Sequence, residues 1–351
     1  MSVSSTINGT FLAGASCTLF RQIVNKPLYY CTQVLSFFLS LVAIPILIYF
    51  AFFKLKKARF NRNVLLLYRM YFGVILTSVG NSTVAFGHHI VTLWIAKSDC
   101  DYLVDTGKLR GMQILGIIGI SGPSVFMQGI IIERLIALAR AKFYENSMFL
   151  VGPVIALFSC IATGALVVYL FIDETFTEPT FSYVLIPSTS GPKMNYLCWG
   201  LLGANFIDLV ANLAMEKVNT CIRKRYLNTL STRYQLEENI FATRFSFFLS
   251  LIHLAFFSFY YVITLTLRYR GTWFVDDSAD LMALRGIFLT IPTYNLLIGF
   301  FSIWKLNSLT GKKKQKLDSE VALQYTGPEG TKNYEVFYTW SSATNKIAPI
   351  N

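Results

Sequence analysis

Two charged residues stand side by side at Glu133 and Arg134, directly after a long apolar stretch. An acid and a base at adjacent positions can pair with each other in one state of a protein and release the arginine to another partner in a second state. A simpler interpretation also exists, because long basic side chains mark the end of a membrane helix by extending to the lipid headgroups. The sequence leaves both interpretations open.

Ionisable side chains inside apolar stretches are candidates for function, since removal of a charge from water is costly and demands a partner or a water-filled cavity. Arg285 has three interpretations: it binds an anionic ligand, pairs with Asp208, or extends outwards to the headgroups. Together with His88 and Tyr260, these two residues form our predicted ligand-binding set. His88 and His89 are neighbours and therefore about 100° apart on a helix, so a shared metal ion is not expected.

Cofactor and catalytic chemistry find little support in the residue types. The chain has three histidines and six cysteines, without the C-x-x-C spacing of a zinc site or a haem attachment sequence. An intramembrane enzyme would need a convergent nucleophile, base or set of metal ligands, and these residues do not supply one. We therefore predict no cofactor, no metal site and no catalytic residue.

The composition identifies lipid as the solvent of this chain. A chain of 351 residues that is 54% hydrophobic and only 14% charged is too apolar for an ordinary soluble domain. A membrane helix needs about 20 mostly apolar residues to cross a hydrocarbon core of roughly 30 Å. Seven runs have this length and predict an all-α bundle of seven transmembrane helices. These runs are 28–53, 64–94, 111–132, 148–172, 196–215, 245–267 and 281–304.

The basic residues predict the orientation of the bundle. Of the 31 Lys and Arg residues, 21 lie in the loops after the first, third and fifth runs or in the tail. The positive-inside rule makes that side cytoplasmic, and we call it the inner side. The prediction is an extracellular segment 1–27, a membrane domain 28–304 and a cytoplasmic tail 305–351. Because these inner loops account for the net charge of +12, no nucleic-acid partner is predicted.

The predicted outer side carries three cysteines and one possible glycosylation site. Cys17, Cys100 and Cys198 could meet in an oxidising compartment. Helix rise places Cys100 well beyond the top of the third run, which favours a Cys17–Cys100 bond over a Cys100–Cys198 bond, although reduced thiols stay possible. Asn8 begins an N-x-T sequence, a weak signal for N-glycosylation that agrees with the predicted orientation.

Six separated stretches resemble nematode serpentine chemoreceptors of class beta, the Srb family. The stretches are LVAIPILIYF (41–50), ERLIALARAKFYEN (133–146), VLIPSTS (184–190), LSTRYQLEEN (230–239), LRGIFLTIPTYN (284–295) and TGPEGTKNYE (326–335). Their length and order make the resemblance specific, and it extends along nearly the whole chain.

The resemblance implies a seven-helix chemosensory receptor in the plasma membrane of chemosensory neurons. Such a receptor binds an external small molecule and acts through a heterotrimeric G protein. The resemblance also implies that Cys17 and Cys100 are the family's extracellular cysteines. We predict six residues for the G-protein surface at the inner side: Glu133, Arg134, Tyr144, Arg223, Arg233 and Tyr234.

A small-molecule transporter or an ion channel is the alternative function. Such a protein is expected to show repeated halves, broken helices in matching positions and ionisable residues at mid-depth. The sequence shows no clear repeat, and Asp208 is the one charge that lies deep in a predicted span. The receptor interpretation is therefore favoured.

Overall fold

The computed structural model is all-α over the residues that it describes. These residues are 17–18, 21–58, 60–140, 150–176, 180, 182–183, 186–187, 189–225, 230–270, 280–281, 283–284 and 290–325. Seven long helices follow one another in this part of the chain. Their bounds are α1 Pro27–Ile48, α2 Arg62–Ile95, α3 Thr106–Ala139, α4 Val151–Phe171, α5 Gly191–Arg225, α6 Leu230–Arg270 and α7 Ile291–Tyr325.

Local sequence explains several helix ends. Pro27 lies in the first turn of α1, where its missing N–H leaves no hydrogen bond unmade. The side chain of Asn61 accepts a hydrogen bond from the Asn63 N–H at the start of α2 (3.0 Å), and Asp105 caps α3 by accepting from the Lys108 N–H (3.2 Å). At its other end, α1 continues through a π-helical turn, Tyr49–Lys54, beyond Pro45.

A short 3₁₀ helix, Asp99–Tyr102, joins α2 to α3 on the side that the sequence predicts to be extracellular, which we call the outer side. Ser98 and Asp101 form a capping box at its start, and Asp101 accepts hydrogen bonds from the backbone N–H groups of Ser98 and Lys97 (2.8 Å each). The Ser98 hydroxyl donates to the other carboxylate oxygen (2.9 Å). These bonds from Ser98 and Lys97 hold the pKa of the Asp101 carboxyl below its usual range. These local hydrogen bonds therefore stabilise the conformation of the loop that carries Cys100.

The helices have the length and surface of membrane spans. Six helical segments within the described residues are long and apolar enough to cross a membrane: Pro27–Lys57, Arg62–Ile95, Asp99–Ala139, Val151–Phe171, Gly191–Arg223 and Gln235–Leu267. Large apolar side chains such as Phe52, Phe158 and Phe206 are 60–66% exposed, as expected for a surface that contacts lipid. The prediction of an all-α, seven-transmembrane helical bundle is confirmed.

The seventh predicted run, 281–304, lies only partly within the described residues. α7 begins at Ile291, so Pro292 occupies its first turn and removes no interior hydrogen bond. The chain divides into two compact units, Met1–Ile303 and Trp304–Asn351. The first unit contains all of the contacts discussed below.

Glycines allow close approach between helices in the first unit. A Cβ atom on Gly119 of α3 would lie 2.5 Å from the Ser78 Oγ of α2, and one on Gly152 of α4 would lie 2.7 Å from the Asn63 Cα of α2. Small residues at such points are typical of membrane helices, whose association depends on close packing rather than on the hydrophobic effect. α2 therefore contacts both α3 and α4 through glycine positions.

Gly152 and Gly164, both in α4, form a matched pair for testing this packing. We expect Gly152→Ala to lower the stability of the purified protein by about 1–3 kcal/mol, because its Cβ meets a backbone atom that must move. Gly164 has no atom within 4 Å of a Cβ position, so Gly164→Ala should be neutral or stabilising by up to about 1 kcal/mol. Thermal unfolding in detergent measures both variants. Equal destabilisation by the two would contradict the packing.

Candidate functional site

Glu133 and Arg134 form a buried ion pair near the inner end of α3. The Arg134 side chain donates two hydrogen bonds to the Glu133 carboxylate, from Nε to Oε2 (2.5 Å) and from NH2 to Oε1 (2.7 Å). Glu133 is 0% exposed and Arg134 is 2% exposed. An arginine that only extended to the headgroups would be exposed, so the membrane-interface interpretation does not describe its position here.

The pair is joined to two other helices through asparagines. Arg134 NH1 donates to the Asn239 Oδ1 of α6 (3.3 Å), and Asn239 Nδ2 donates to the Asn219 Oδ1 of α5 (2.9 Å). Both asparagines are buried. We call Glu133, Arg134, Asn219 and Asn239 the inner cluster. It links α3, α5 and α6 by direct hydrogen bonds on the predicted cytoplasmic side.

More exposed polar contacts surround the inner cluster. They include the Arg223–Glu237 and Arg244–Glu216 ion pairs between α5 and α6 (3.2 and 2.8 Å) and a hydrogen bond from the Asn61 N–H to the Glu238 carboxylate. The two ion pairs are partly exposed, and such pairs each contribute only about 0–1 kcal/mol. The buried cluster is therefore the principal polar connection.

α6 also contacts α2 beside the inner cluster. The Tyr68 hydroxyl donates to the Ala242 carbonyl oxygen (3.1 Å) and shares a hydrogen bond with the Ser246 Oγ (2.6 Å). The Phe60 ring packs against those of Tyr68 and Phe245, with centroid distances of 5.1 Å to Tyr68 and 5.9 Å to Phe245. The inner half of α6 is thus held against α2, α3 and α5 together.

The six predicted inner residues have different positions. Glu133 and Arg134 form the core of the cluster, and Arg223 lies beside it in a surface ion pair. Tyr144 lies outside the described residues. Arg233 and Tyr234 belong to α6, and their side chains are outside the described part of the chain. The sequence analysis missed Asn219 and Asn239, the residues that connect Arg134 to α5 and α6.

A second polar chain crosses the middle of the bundle. His253 of α6 is hydrogen-bonded through Nε2 to the Ser124 Oγ of α3 (2.9 Å) and through Nδ1 to the Tyr294 hydroxyl of α7 (2.8 Å). The Tyr294 hydroxyl also contacts the Tyr71 hydroxyl of α2 (3.2 Å). We call these four residues the mid-membrane chain. Sequence analysis did not identify it, and it joins α2, α3, α6 and α7.

A neutral imidazole satisfies every contact of the mid-membrane chain. In one arrangement Tyr71 donates to Tyr294, Tyr294 donates to Nδ1, and Nε2–H donates to Ser124. The reverse arrangement, with the other tautomer, is equally complete. His253 therefore needs no charge, which is the less costly condition for a histidine at this depth.

A disulfide ties the N-terminal segment to the outer loop between α2 and α3. It joins Cys17 to Cys100, with Cα atoms 4.8 Å apart, and Cys198 is a free, buried cysteine. Arg21 NH1 and Asp99 Oδ1 form an ion pair (2.8 Å) next to this bond. Asn8, the predicted glycosylation site, lies outside the described residues.

An outer pocket lies beneath this tethered segment. It is lined by Val24, His88, His89, Thr92 and Tyr102, and its cavity volume is about 10 Å³, which is roughly the space for one water molecule. His89 Nε2 is 3.2 Å from the Ser182 Oγ of the α4–α5 loop. The pocket thus combines imidazoles, hydroxyls and an aliphatic wall.

Residues of the loop between α4 and α5 contact the two histidines that line the pocket. The Tyr183 ring contacts His88, with centroids 4.9 Å apart, and the Tyr183 carbonyl oxygen accepts a hydrogen bond from Gln113 Nε2 of α3 (2.8 Å). Both α2 and α3 therefore hold the loop. A molecule that displaced Tyr183 would alter its contacts with these two helices.

The predicted ligand-binding residues do not share this pocket. His88 lines it, whereas Asp208 is buried midway along α5 and Tyr260 is buried in α6, where its ring lies 5.5 Å from that of Tyr261. Arg285 lies outside the described residues. Among the three members of the predicted set that the structure describes, His88 alone lines the outer pocket, and Tyr102 and Thr92 were not predicted.

Comparison with known proteins gives a consistent family match. The family described as serpentine type 7TM GPCR chemoreceptor Srb matches residues 25–257. Serpentine receptor class beta-6 of Caenorhabditis elegans is 42% identical, over 94% of this chain and 98% of that protein. Serpentine receptors class beta-3 and class beta-13 of the same organism are each 32% identical, over 94% and 91% of this chain and 97% and 93% of their own lengths.

The buried ion pair predicts a specific pattern of stability. We expect Glu133→Gln to destabilise the protein by about 3–5 kcal/mol, because it leaves the Arg134 charge buried without its counter-ion. The double variant Glu133→Gln/Arg134→Met removes both charges and should regain much of that loss. Glu216→Gln, which breaks a partly exposed pair, should cost no more than about 1 kcal/mol.

Thermal unfolding of the purified variants in lipid nanodiscs makes this comparison. A double variant as unstable as Glu133→Gln alone would contradict the account, since the loss would then not come from an uncompensated charge.

Proposed function

The chain belongs to the Srb family of serpentine seven-transmembrane chemoreceptors, and on this basis we propose that it binds an external small molecule and signals through a heterotrimeric G protein. The family is a receptor family rather than an enzyme class. In this proposal the protein has no catalytic role, and its partners are a small-molecule ligand, the G protein and the lipid bilayer.

The observation that carries the proposal is the inner cluster. A receptor needs a surface that is closed at rest and opens to a cytoplasmic partner, and Arg134 is a buried cation held by hydrogen bonds to α3 and α6. If α6 moves away from α3, Arg134 loses Asn239 and becomes available to a partner. A movement of α6 away from α5 would also break the hydrogen bond from Asn239 to Asn219.

Ligand binding acts through the relative stability of the closed and open states. A ligand shifts that equilibrium only if it binds the two states with unequal affinity. The outer pocket supports such a difference, because Tyr183 and Ser182 contact His88 and His89 of α2. The mid-membrane chain then supplies a physical connection from α2 and α3 to α6 and α7.

Orientation and location complete the proposal. The extracellular segment is 1–27, the cytoplasmic tail is 305–351, and the receptor lies in the plasma membrane of chemosensory neurons. A disulfide at Cys100 supports this orientation, because disulfides form in the oxidising extracellular compartment.

Release of Arg134 should raise basal signalling. We expect Asn239→Ala to increase second-messenger production without added ligand several-fold in transfected cells, because it removes a direct hydrogen bond between Arg134 and α6. Asn195→Ala is the matched control: it removes an α5–α6 hydrogen bond to the Tyr269 hydroxyl at the outer end (2.8 Å) and should leave basal signalling unchanged.

The readout is normalised to the amount of each variant at the cell surface. Ligand-independent ion currents with no change in any second messenger would contradict the receptor proposal and favour a channel.

Terminal tags test the proposed orientation. In intact cells an antibody should reach a tag at the amino end and should not reach a tag at the carboxyl end until the cells are permeabilised. Asn8→Gln should also increase the electrophoretic mobility of the protein, because the glycan at Asn8 would be lost. Both termini accessible on the same side would contradict the seven-span receptor topology.

A further inference from the structure

α5 carries a polar stripe on its buried face at the middle of the membrane domain. Asn205, Asp208 and Asn212 are 3%, 4% and 0% exposed. Their spacing of three and four residues places them on the same face of the helix, one above another. Asp208 lies midway between the ends of α5, Gly191 and Arg225. The stripe is separate from both the inner cluster and the outer pocket.

Each of the three residues has a buried polar atom without a hydrogen-bond partner. These atoms are Asn205 Nδ2, Asp208 Oδ2 and Asn212 Oδ1. Buried polar groups are nearly always satisfied, so a group of unsatisfied atoms indicates a bound water or ion. The three side chains lie within two helical turns on one face of α5, a spacing that is compatible with one shared occupant.

The side chain of Asn212 is fixed in place by its other hydrogen bonds. Its Nδ2 donates to the Asp208 carbonyl oxygen (3.0 Å) and to the Ser250 Oγ of α6 (3.1 Å). These two bonds orient the amide and leave its oxygen as a free acceptor beside the stripe. An occupant that bound this oxygen would therefore contact a residue that already joins α5 to α6.

The chemistry of the free groups selects a cation. Asp208 supplies a carboxylate, and within the described part of the chain no Lys, Arg or His nitrogen lies within 4.0 Å of it. A bare carboxylate at this depth is costly unless a proton or a cation neutralises it. Oxygen ligands suit hard cations, and a single carboxylate balances one positive charge, which favours a monovalent ion over a divalent one.

We propose that Asp208 and Asn212, with the amide oxygen of Asn205 after rotation of that amide, bind one small monovalent cation between α5 and α6. The positive charge neutralises the carboxylate, and the Asn212 oxygen is a second ligand. Bound cation stabilises the arrangement in which Asn212 is hydrogen-bonded to Ser250. This site goes beyond the proposed receptor function and does not depend on it.

The test measures thermal stability of the full chain in lipid nanodiscs with three chloride salts at equal ionic strength. Sodium and methylammonium are the two small cations, and N-methyl-D-glucamine is the bulky reference. We expect one or both small cations to raise the melting temperature with a saturating concentration dependence, as linked binding requires. A response to sodium identifies an alkali ion, and a response to methylammonium alone identifies an ammonium group as the occupant.

Three variants locate the effect. Asp208→Asn should abolish the shift, and Asn212→Leu should raise the cation concentration needed for half of it. Glu216→Gln removes another α5 carboxylate and should respond like the unmodified protein. The proposal is overturned if the unmodified protein responds to neither small cation, a result that requires no variant to fold. It is also overturned if Asp208→Asn keeps the full shift.

Discussion

The buried Arg134 is the constraint on which the proposed closed state of this protein depends. The guanidinium of Arg134 is expensive to remove from water and becomes tolerable only when its N–H groups have partners. Glu133 supplies the counter-charge from the same helix, so that bond can persist whether α6 is near or far. Asn239 accepts a further hydrogen bond from Arg134, and because Asn239 belongs to α6, that bond requires the two helices to be close together. The ion pair with Glu133 therefore stabilises the buried charge within α3, and the hydrogen bond to Asn239 favours the arrangement in which α6 lies next to α3.

Buried polar residues on α5 and α6 extend the hydrogen-bonded contacts between helices from the inner cluster to the middle of the bundle. Asn239, Thr243, Ser246, Ser250 and His253 follow one another along α6 at intervals of four and three residues, and all are buried. In lipid the helices gain little from the hydrophobic effect, so such side chains and small residues determine which faces meet. His253 then connects α6 to α3 and α7, and Asn212 connects α5 to Ser250. The same hydrogen bonds that assemble the bundle would have to be exchanged when it changes state.

The sequence predicted the fold well because a span depends mainly on length and hydropathy. It predicted Glu133 and Arg134 because adjacent opposite charges are visible in a linear chain. Asn219 and Asn239 were missed because single asparagines carry no charge and their importance comes from helices distant in sequence. The regular spacing of polar residues in α6 was the signal that could have found Asn239 and His253. The predicted ligand-binding residues were chosen by depth and polarity, which do not reveal which residues share a pocket. His88 lines the outer pocket, whereas Asp208 and Tyr260 lie elsewhere.

The most direct test of the account is a pair of cryo-electron microscopy structures of the full chain in lipid nanodiscs, one alone and one with a bound G-protein heterotrimer. Arg134 NH1 should lie within hydrogen-bond distance of Asn239 Oδ1 in the protein alone. In the complex that bond should be broken, with Arg134 directed towards the G protein. An unchanged Arg134–Asn239 contact in the complex, or an Arg134 side chain exposed to headgroups in the protein alone, would contradict the account.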